Sequence, residues 1–328
     1  MGERTTLPSR ALAESLGGPL GDACEGRLTD LAWFRTDWQR GGAATAKGQW
    51  TLDDGSQTTV VVKVPVNARE LIWMRRLQDP PVSRSADGSA PAANDGVVPR
   101  LLRSGEELGS LDLAWMVIEH LPHGPLGGRW HDDHIPRIAD AIARFHARAS
   151  TFPTDREPKR ERWDTLVATA REAVKTSAVA QRQRWTAALR ELSAKLDPIA
   201  SAWEERQPKE WLHGDLHLAN AMSRVGIDQG PVCLIDLAEV HVGHWVEDAI
   251  YLERQLWARP ERLRTHKPVK CIAECRKAAG CDNGEEHSRL AAIRRLLLAA
   301  TAPAFLKSEG APAYLTACLD RLEEGTRE

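Results

Sequence analysis

The chain has 328 residues, of which 42% are hydrophobic and 27% charged. That balance suits a folded protein with a sizeable core and excludes wholesale disorder. Its 44 basic and 46 acidic side chains leave a net charge of -2, so no overall basic excess points to nucleic acid. The opening MGERTTLPSR carries no apolar core of signal-peptide length, and no later run reaches the roughly 18 apolar residues that span a bilayer. The expectation is a cytoplasmic protein without a membrane or nucleic-acid partner.

Residues 1–26 read as a short helix or an arm. Strands are expected at Leu31 to Trp38, Gly48 to Leu52 and Thr58 to Val64. Residues 39–48 form a small-residue loop between the first two. Asp53-Asp54-Gly55-Ser56 forms the turn before the third. In residues 67–78 the period becomes helical, with Leu71, Met74 and Leu77 on one face and Asn67 as cap. Residues 80–96 are small, polar and Pro/Gly-rich, and read as a mobile loop. Two more strands follow, at Val97 to Leu102 and Leu113 to Leu121, so the first part is a small antiparallel sheet with one helix. Pro122, Gly124 and Pro125 punctuate a boundary, giving an N-lobe of 1–121 and a C-lobe of 122–328. The second part is mainly helical: 132–149, 160–176, 179–206 with a break near Pro198, and again from Trp245 onward. Two short apolar runs, Glu210 to His213 and Val232 to Ile235, interrupt the helices.

The chemistry concentrates beside those two runs. His213-Gly214-Asp215-Leu216-His217-Leu218-Ala219-Asn220 places a carboxylate and a carboxamide five positions apart on a loop. Asp215 can accept a proton from an attacking hydroxyl, and Asn220 can offer an oxygen to a metal ion. Asp236 ends the second run as another oxygen ligand. Phosphoryl transfer needs such a base and such ligands for magnesium. Upstream, Lys63 ends a valine-rich strand and can present its ammonium to phosphates. Glu70 in the next helix can hold it. Gly41 and Gly42 lie in a turn that can cover a nucleotide. Each part alone has a plainer reading, as a strand-end charge, a solvated helix residue or a turn. Their order, loop, Lys, Glu, strand pair, linker, Asp-Asn loop, Asp, is that of protein kinases.

HGDLHLAN at 213–220 resembles the catalytic loop of aminoglycoside phosphotransferases and choline kinases. LIDLAEVHVGHWVEDAIYL at 234–252 resembles that family's second motif, and MVIEHLPHG at 116–124 its hinge strand. The resemblance runs from about residue 28 to 255. It implies an α+β, bilobal protein-kinase-like fold with a small antiparallel-sheet N-lobe and a mainly helical C-lobe. It implies that Asp215 is the catalytic base or hydroxyl-orienting group and that Asn220 and Asp236 bind Mg2+. Lys63, held by Glu70, would contact the phosphates of ATP or GTP. Glu119 and Leu121 would edge the adenine, mostly through backbone groups. Asp248 and Gly243 would fill structural positions, and His213 would support the loop. Leu237 stands where relatives often have Trp, and no acidic C-terminal tail suits a polycationic aminoglycoside.

The expected function is phosphorylation of a hydroxyl on a small molecule. The alternatives are a catalytically silent nucleotide-binding protein of the same fold, a protein kinase, and a zinc-binding module at 266–287. The last rests on Cys271, Cys275, Cys281 and His287. Their spacing fits no common zinc motif, and thiols packed beside a helix are the plainer reading.

Overall fold

The computed structural model describes residues 9–36, 43–78, 96–154, 157–158, 160–227 and 229–327. Its contacts cluster into two compact units, Met1–Gly128 with Ala219–Val240, and Arg129–Leu218 with His241–Glu328.

The first unit opens with two short helices, α1 (Ser9–Ser15) and α2 (Gly17–Ala23). Three antiparallel strands follow, β1 (Leu28–Arg35), β2 (Ala44–Thr51) and β3 (Gln57–Val64). After them come helix α3 (Ala68–Arg76) and strands β4 (Leu101–Gly105) and β5 (Trp115–Glu119). The sheet order is β1-β2-β3-β5-β4. Strand pleating sends alternate residues to opposite faces. Ala44 and Ala46 of β2, Val60, Val62 and Val64 of β3, and Trp115 and Val117 of β5 therefore share one core with Leu16 and Leu20. The intervening Val61, Lys63, Met116 and Ile118 face a cavity on the other side. Asn67 caps α3 by accepting a hydrogen bond from Arg69 N, which fixes the helix that carries Glu70.

The expected loop at 39–48 needs correction, because residues 44–48 belong to β2. A Cβ at Gly48 would lie 3.0 Å from a Leu28 methyl, so glycine there suits the close approach of β1, and full pairing with β3 overrides the segment's weak β-propensity. The expected strand at 97–102 is displaced to 101–105. Most of the loop expected at 80–96, together with Gly41 and Gly42, lies outside the described residues.

The second unit is built of α4 (His134–Ala149), α5 (Trp163–Thr176), α6 (Arg182–Glu204) and the short strand β6 (Glu210–Leu212). The chain then crosses into the first unit and forms the hairpin β7 (Ala221–Ser223) and β8 (Val232–Leu234). It returns through β9 (His241–Gly243), which pairs with β6, and α7 (Val246–Arg254). Helices α8 (Pro268–Ala278), α9 (His287–Thr301), α10 (Leu306–Glu309) and α11 (Pro312–Arg327) complete it. No break occurs at Pro198, which sits inside the continuous α6. Trp185, Trp203, Trp245 and Trp257 are fully buried, so much of the unusual tryptophan content is packing.

The fold is thus the α+β arrangement expected, an antiparallel sheet unit and a mainly helical unit. No helix among the described residues is long and apolar enough to cross a membrane. Nor do three or more His, Cys, Asp or Glu side chains among them gather into a metal cluster. Cys271 and Cys275 lie on α8, where burial raises both thiol pKa values.

Candidate active site

The cavity of the first unit has a volume of about 520 Å³ and gathers six of the residues singled out from sequence: Lys63, Glu70, Glu119, Leu121, Asn220 and Asp236. Lys63 Nζ donates to Glu70 Oε1 at 2.5 Å. Burial is the main influence on Glu70 and pushes its carboxyl up; Lys63 opposes this and the nearby Asp236 charge adds to it. The hairpin register brings Asn220 and Asp236 to one end. Ala221 pairs with Leu234, and Ile235 N donates to Asn220 O at 2.9 Å. Asp236 has a left-handed φ of 64°, a conformation that costs energy in most non-glycine residues and that Asp tolerates better than most. No hydrogen-bond or ion-pair partner for its carboxylate occurs among the described residues.

At the end of β5, the Glu119 carboxylate is engaged by Arg224 at 2.5 Å and by Arg100 N at 3.0 Å. Arg224 also donates to Gly96 O at 3.2 Å and to Val98 O at 2.9 Å. It therefore ties the β7–β8 hairpin to the strand end. Leu121 is buried beside the cavity, and its amide has no hydrogen-bond partner among the described residues.

Asp215 lies in the second unit, on the loop after β6. Gly214 turns that loop with φ of 80°, a conformation that favours glycine. Asp248, in the first turn of α7, accepts from His213 N and Gly214 N, both at 2.9 Å. Arg276, 0% exposed, donates to His146 Nδ1 at 2.8 Å. Because arginine only donates, His146 carries its proton on Nε2 and gives it to Asp248 Oδ2 at 3.1 Å. Arg276 is itself held by Glu210 at 2.7 Å and Asn283 at 3.0 Å. Burial opposes ionisation of Asp248, yet the His146 hydrogen bond and the Gly214 amide hold its carboxyl below the usual range. His213 is fully buried, packs edge-on to Phe145, and accepts from Asp215 N at 3.3 Å.

The Asp215 carboxylate sits between two donors. His217 Nε2 is 3.4 Å from Oδ2, and Tyr251 donates its hydroxyl to Oδ1 at 2.7 Å. The His217 bond is the largest influence; with Tyr251 it outweighs burial and holds Asp215 well below the ordinary carboxylate range. A close approach also explains Gly243: a Cβ there would lie 2.8 Å from Glu247 Oε1 and 2.5 Å from a Leu212 methyl. Burial works against the charge on Glu247, but His241, Arg294 and Arg206 lower its pKa to about 2.

Sequence reasoning missed Tyr251, Arg224 and Arg276. Tyr251 had a readable signal, since it follows Asp248 by three positions on α7 and so shares its face. Arg276 and Arg224 act across long sequence separations and left no local pattern.

Among solved structures, the chain is similar to a choline/ethanolamine kinase family protein from Mesorhizobium loti, with a TM-score of 0.55 and 12% identity over 98% of this chain and 95% of that one. An aminoglycoside phosphotransferase from Alicyclobacillus acidocaldarius gives 0.51 and 15% over 86% and 87%. A microcompartment-associated aminopropanol kinase gives 0.51 and 15% over 90% and 90%. At such identities the likeness is one of fold, and it is the fold that the sequence motifs implied. No curated protein matches the chain. The sequence model of the phosphotransferase enzyme family matches residues 50–270, more than half of the chain and enough to take in the Lys63 strand and both carboxylate loops; the chain belongs to that family.

Proposed function

We propose that the protein is a small-molecule kinase that transfers the terminal phosphoryl group of ATP or GTP, as its magnesium complex, to a hydroxyl. The observation that carries this reading is the first unit's cavity, where one ammonium–carboxylate pair, two hard oxygen donors and a strand end with an available amide meet. The Leu121 amide and the Glu119 carbonyl suit the edge of a purine. Lys63, steadied by Glu70, suits the phosphates. Asn220 and Asp236 fit magnesium, which takes oxygen ligands, usually few of them from protein, and completes its shell with phosphate and water. When bound, the ion would neutralise charge on the bridging and terminal phosphates.

Asp215 remains ionised well into acid solution, so it is a weak base. Its contribution is to orient the acceptor hydroxyl and to take its proton late in transfer. The new bond joins that hydroxyl oxygen to the γ-phosphorus while the bond from phosphorus to the bridging oxygen breaks, leaving a phosphate monoester and a nucleoside diphosphate. Positioning and electrostatics supply most of such catalysis.

The test is transfer of label from γ-labelled ATP and GTP, with magnesium, to a panel of hydroxyl-bearing metabolites and aminoglycosides. A labelled small molecule formed by the wild type supports the reading. Nucleotide binding without transfer to any member would favour a silent nucleotide binder, and label on protein alone would favour a protein kinase.

A further inference from the structure

A groove of about 480 Å³ lies between α5 and α6 in the second unit, a volume within the range of small-molecule sites. Arg171 and Lys175 line it one turn apart on α5, and Arg182, Thr186 and Arg190 line it at the same spacing of four on α6. Such spacing puts each set on one face of its helix, so both sets project into the groove. Buried Val174 and Leu189 give it an apolar floor.

The charges of the lining do not balance. Four cations, Arg171, Lys175, Arg182 and Arg190, stand against one carboxylate, Glu172, which leaves an excess of three positive charges. Glu172 Oε2 lies 3.8 Å from Lys175 Nζ. Arg182 Nη2 donates to Ser177 O at 2.9 Å, and Thr186 spends its hydroxyl proton on Arg182 O at 2.8 Å. Arg171 and Arg190 have no hydrogen-bond or ion-pair partner among the described residues. Glu191, beside Arg190 in the chain, pairs with Lys195 at 3.7 Å, and Asp320 and Glu323 of α11 are taken by Arg184, both at 2.8 Å. The start of α6 is a second observation. Its first turn holds no acidic residue and begins with Arg182. Free backbone amides make that end of a helix positive, which disfavours a cation and favours an anion. A bound anion would answer both the excess of charge and its placement. Arginine offers a planar fork of donors that meets the oxygens of a phosphate two at a time.

We propose that the α5–α6 groove binds a small anion carrying two phosphate groups, held between Arg171 on one helix and Arg182 and Arg190 on the other. Two phosphate groups bring roughly three to four negative charges near pH 7, which matches the excess. None of the groove's lining residues belongs to the candidate active site, so the inference does not depend on the phosphotransfer reading.

The probe is inorganic pyrophosphate, titrated by calorimetry without magnesium into the full chain. Lys63→Met removes the cation of the nucleotide cavity, so pyrophosphate bound by this variant is bound elsewhere. It should bind with a stoichiometry of one. Adding Arg171→Gln and Arg190→Gln should weaken that binding about tenfold or more. Both arginines are exposed, so their substitution should leave the thermal melt unchanged. Should Lys63→Met fail to fold, the same two substitutions in the wild type should abolish one class of pyrophosphate binding. Citrate, which offers carboxylates in place of phosphates, controls for charge alone and should bind more weakly. Absence of pyrophosphate binding, or an affinity that the two arginine substitutions leave unchanged, would overturn the site. Citrate binding as tight as pyrophosphate binding would overturn phosphate as its ligand class.

Discussion

The loop of Asp215 and the hairpin end of Asp236 each place a carboxylate just after a short strand, yet the two are held in opposite ways. Asp215 is over-determined. Tyr251 and His217 hold its oxygens, and Asp248 fixes the two backbone amides that precede it. His146 and Arg276 stand behind Asp248. Asp236 has a left-handed backbone and a carboxylate without a hydrogen-bond or ion-pair partner among the described residues, and its charge helps to raise the pKa of Glu70. On the proposed reading, the contrast separates a group that protein alone prepares from one whose charge a magnesium ion would complete. Preorganisation of the first kind lowers the reorganisation needed during a reaction; the second kind would make nucleotide binding depend on the ion.

The largest effect that would break this comparison is at Asp215. Asp215→Ala should reduce kcat by about a thousandfold or more while leaving nucleotide affinity unchanged. Retained turnover in a steady-state assay would remove it from the mechanism. Next is Arg276→Met, which empties the support behind Asp248. It should cost about 3–5 kcal/mol of stability in denaturant titration, because it leaves Glu210 and His146 without their buried partner. In the folded fraction, kcat should fall about tenfold or more with nucleotide affinity unchanged, since Arg276 acts only on the Asp215 side. Tyr251→Phe removes one donor to Asp215 and should lower kcat by about tenfold. A drop in nucleotide affinity instead would blur the division between the two regions.

A smaller effect concerns His244, which precedes α7. Burial, the main cause, lowers its pKa to about 4 from an ordinary 6.5. The unfolded chain therefore takes up this proton first, and stability falls as the pH drops from about 6.5 to about 4, by about 3 kcal/mol in all. His244 Nδ1 accepts from Val246 N at 3.3 Å. Asparagine at this position keeps an acceptor and removes the titration. Thermal melts of His244→Asn across this range should show a flatter pH dependence than wild type. Equal slopes would assign the acid sensitivity elsewhere.

What could be read from the sequence was what local pattern encodes. Lys63 and Glu70 were legible because a valine-rich strand and a capped helix with a clear period carry them, and the two carboxylate loops because short apolar runs flank them. Strand β2 was hidden by its composition, although Ala44, Ala46, Gly48 and Trp50 alternate with Thr45, Lys47 and Gln49 in the period of two that a strand requires. Pro198 suggested a break, but the helix tolerates the loss of one backbone donor. The supports at Arg224 and Arg276 were invisible because each joins segments more than 60 residues apart, Arg224 to Glu119 and Arg276 to Glu210, and pairing at that range is decided by the fold.

The most direct test of the account is calorimetric titration of ATP, with and without magnesium, into wild type and Asp236→Ala. The account predicts that magnesium tightens nucleotide binding to the wild type and that the variant loses this gain. Equal dependence on magnesium in the two proteins would contradict the assignment of Asp236, and with it the distinction between the prepared carboxylate and the one that waits for its ion.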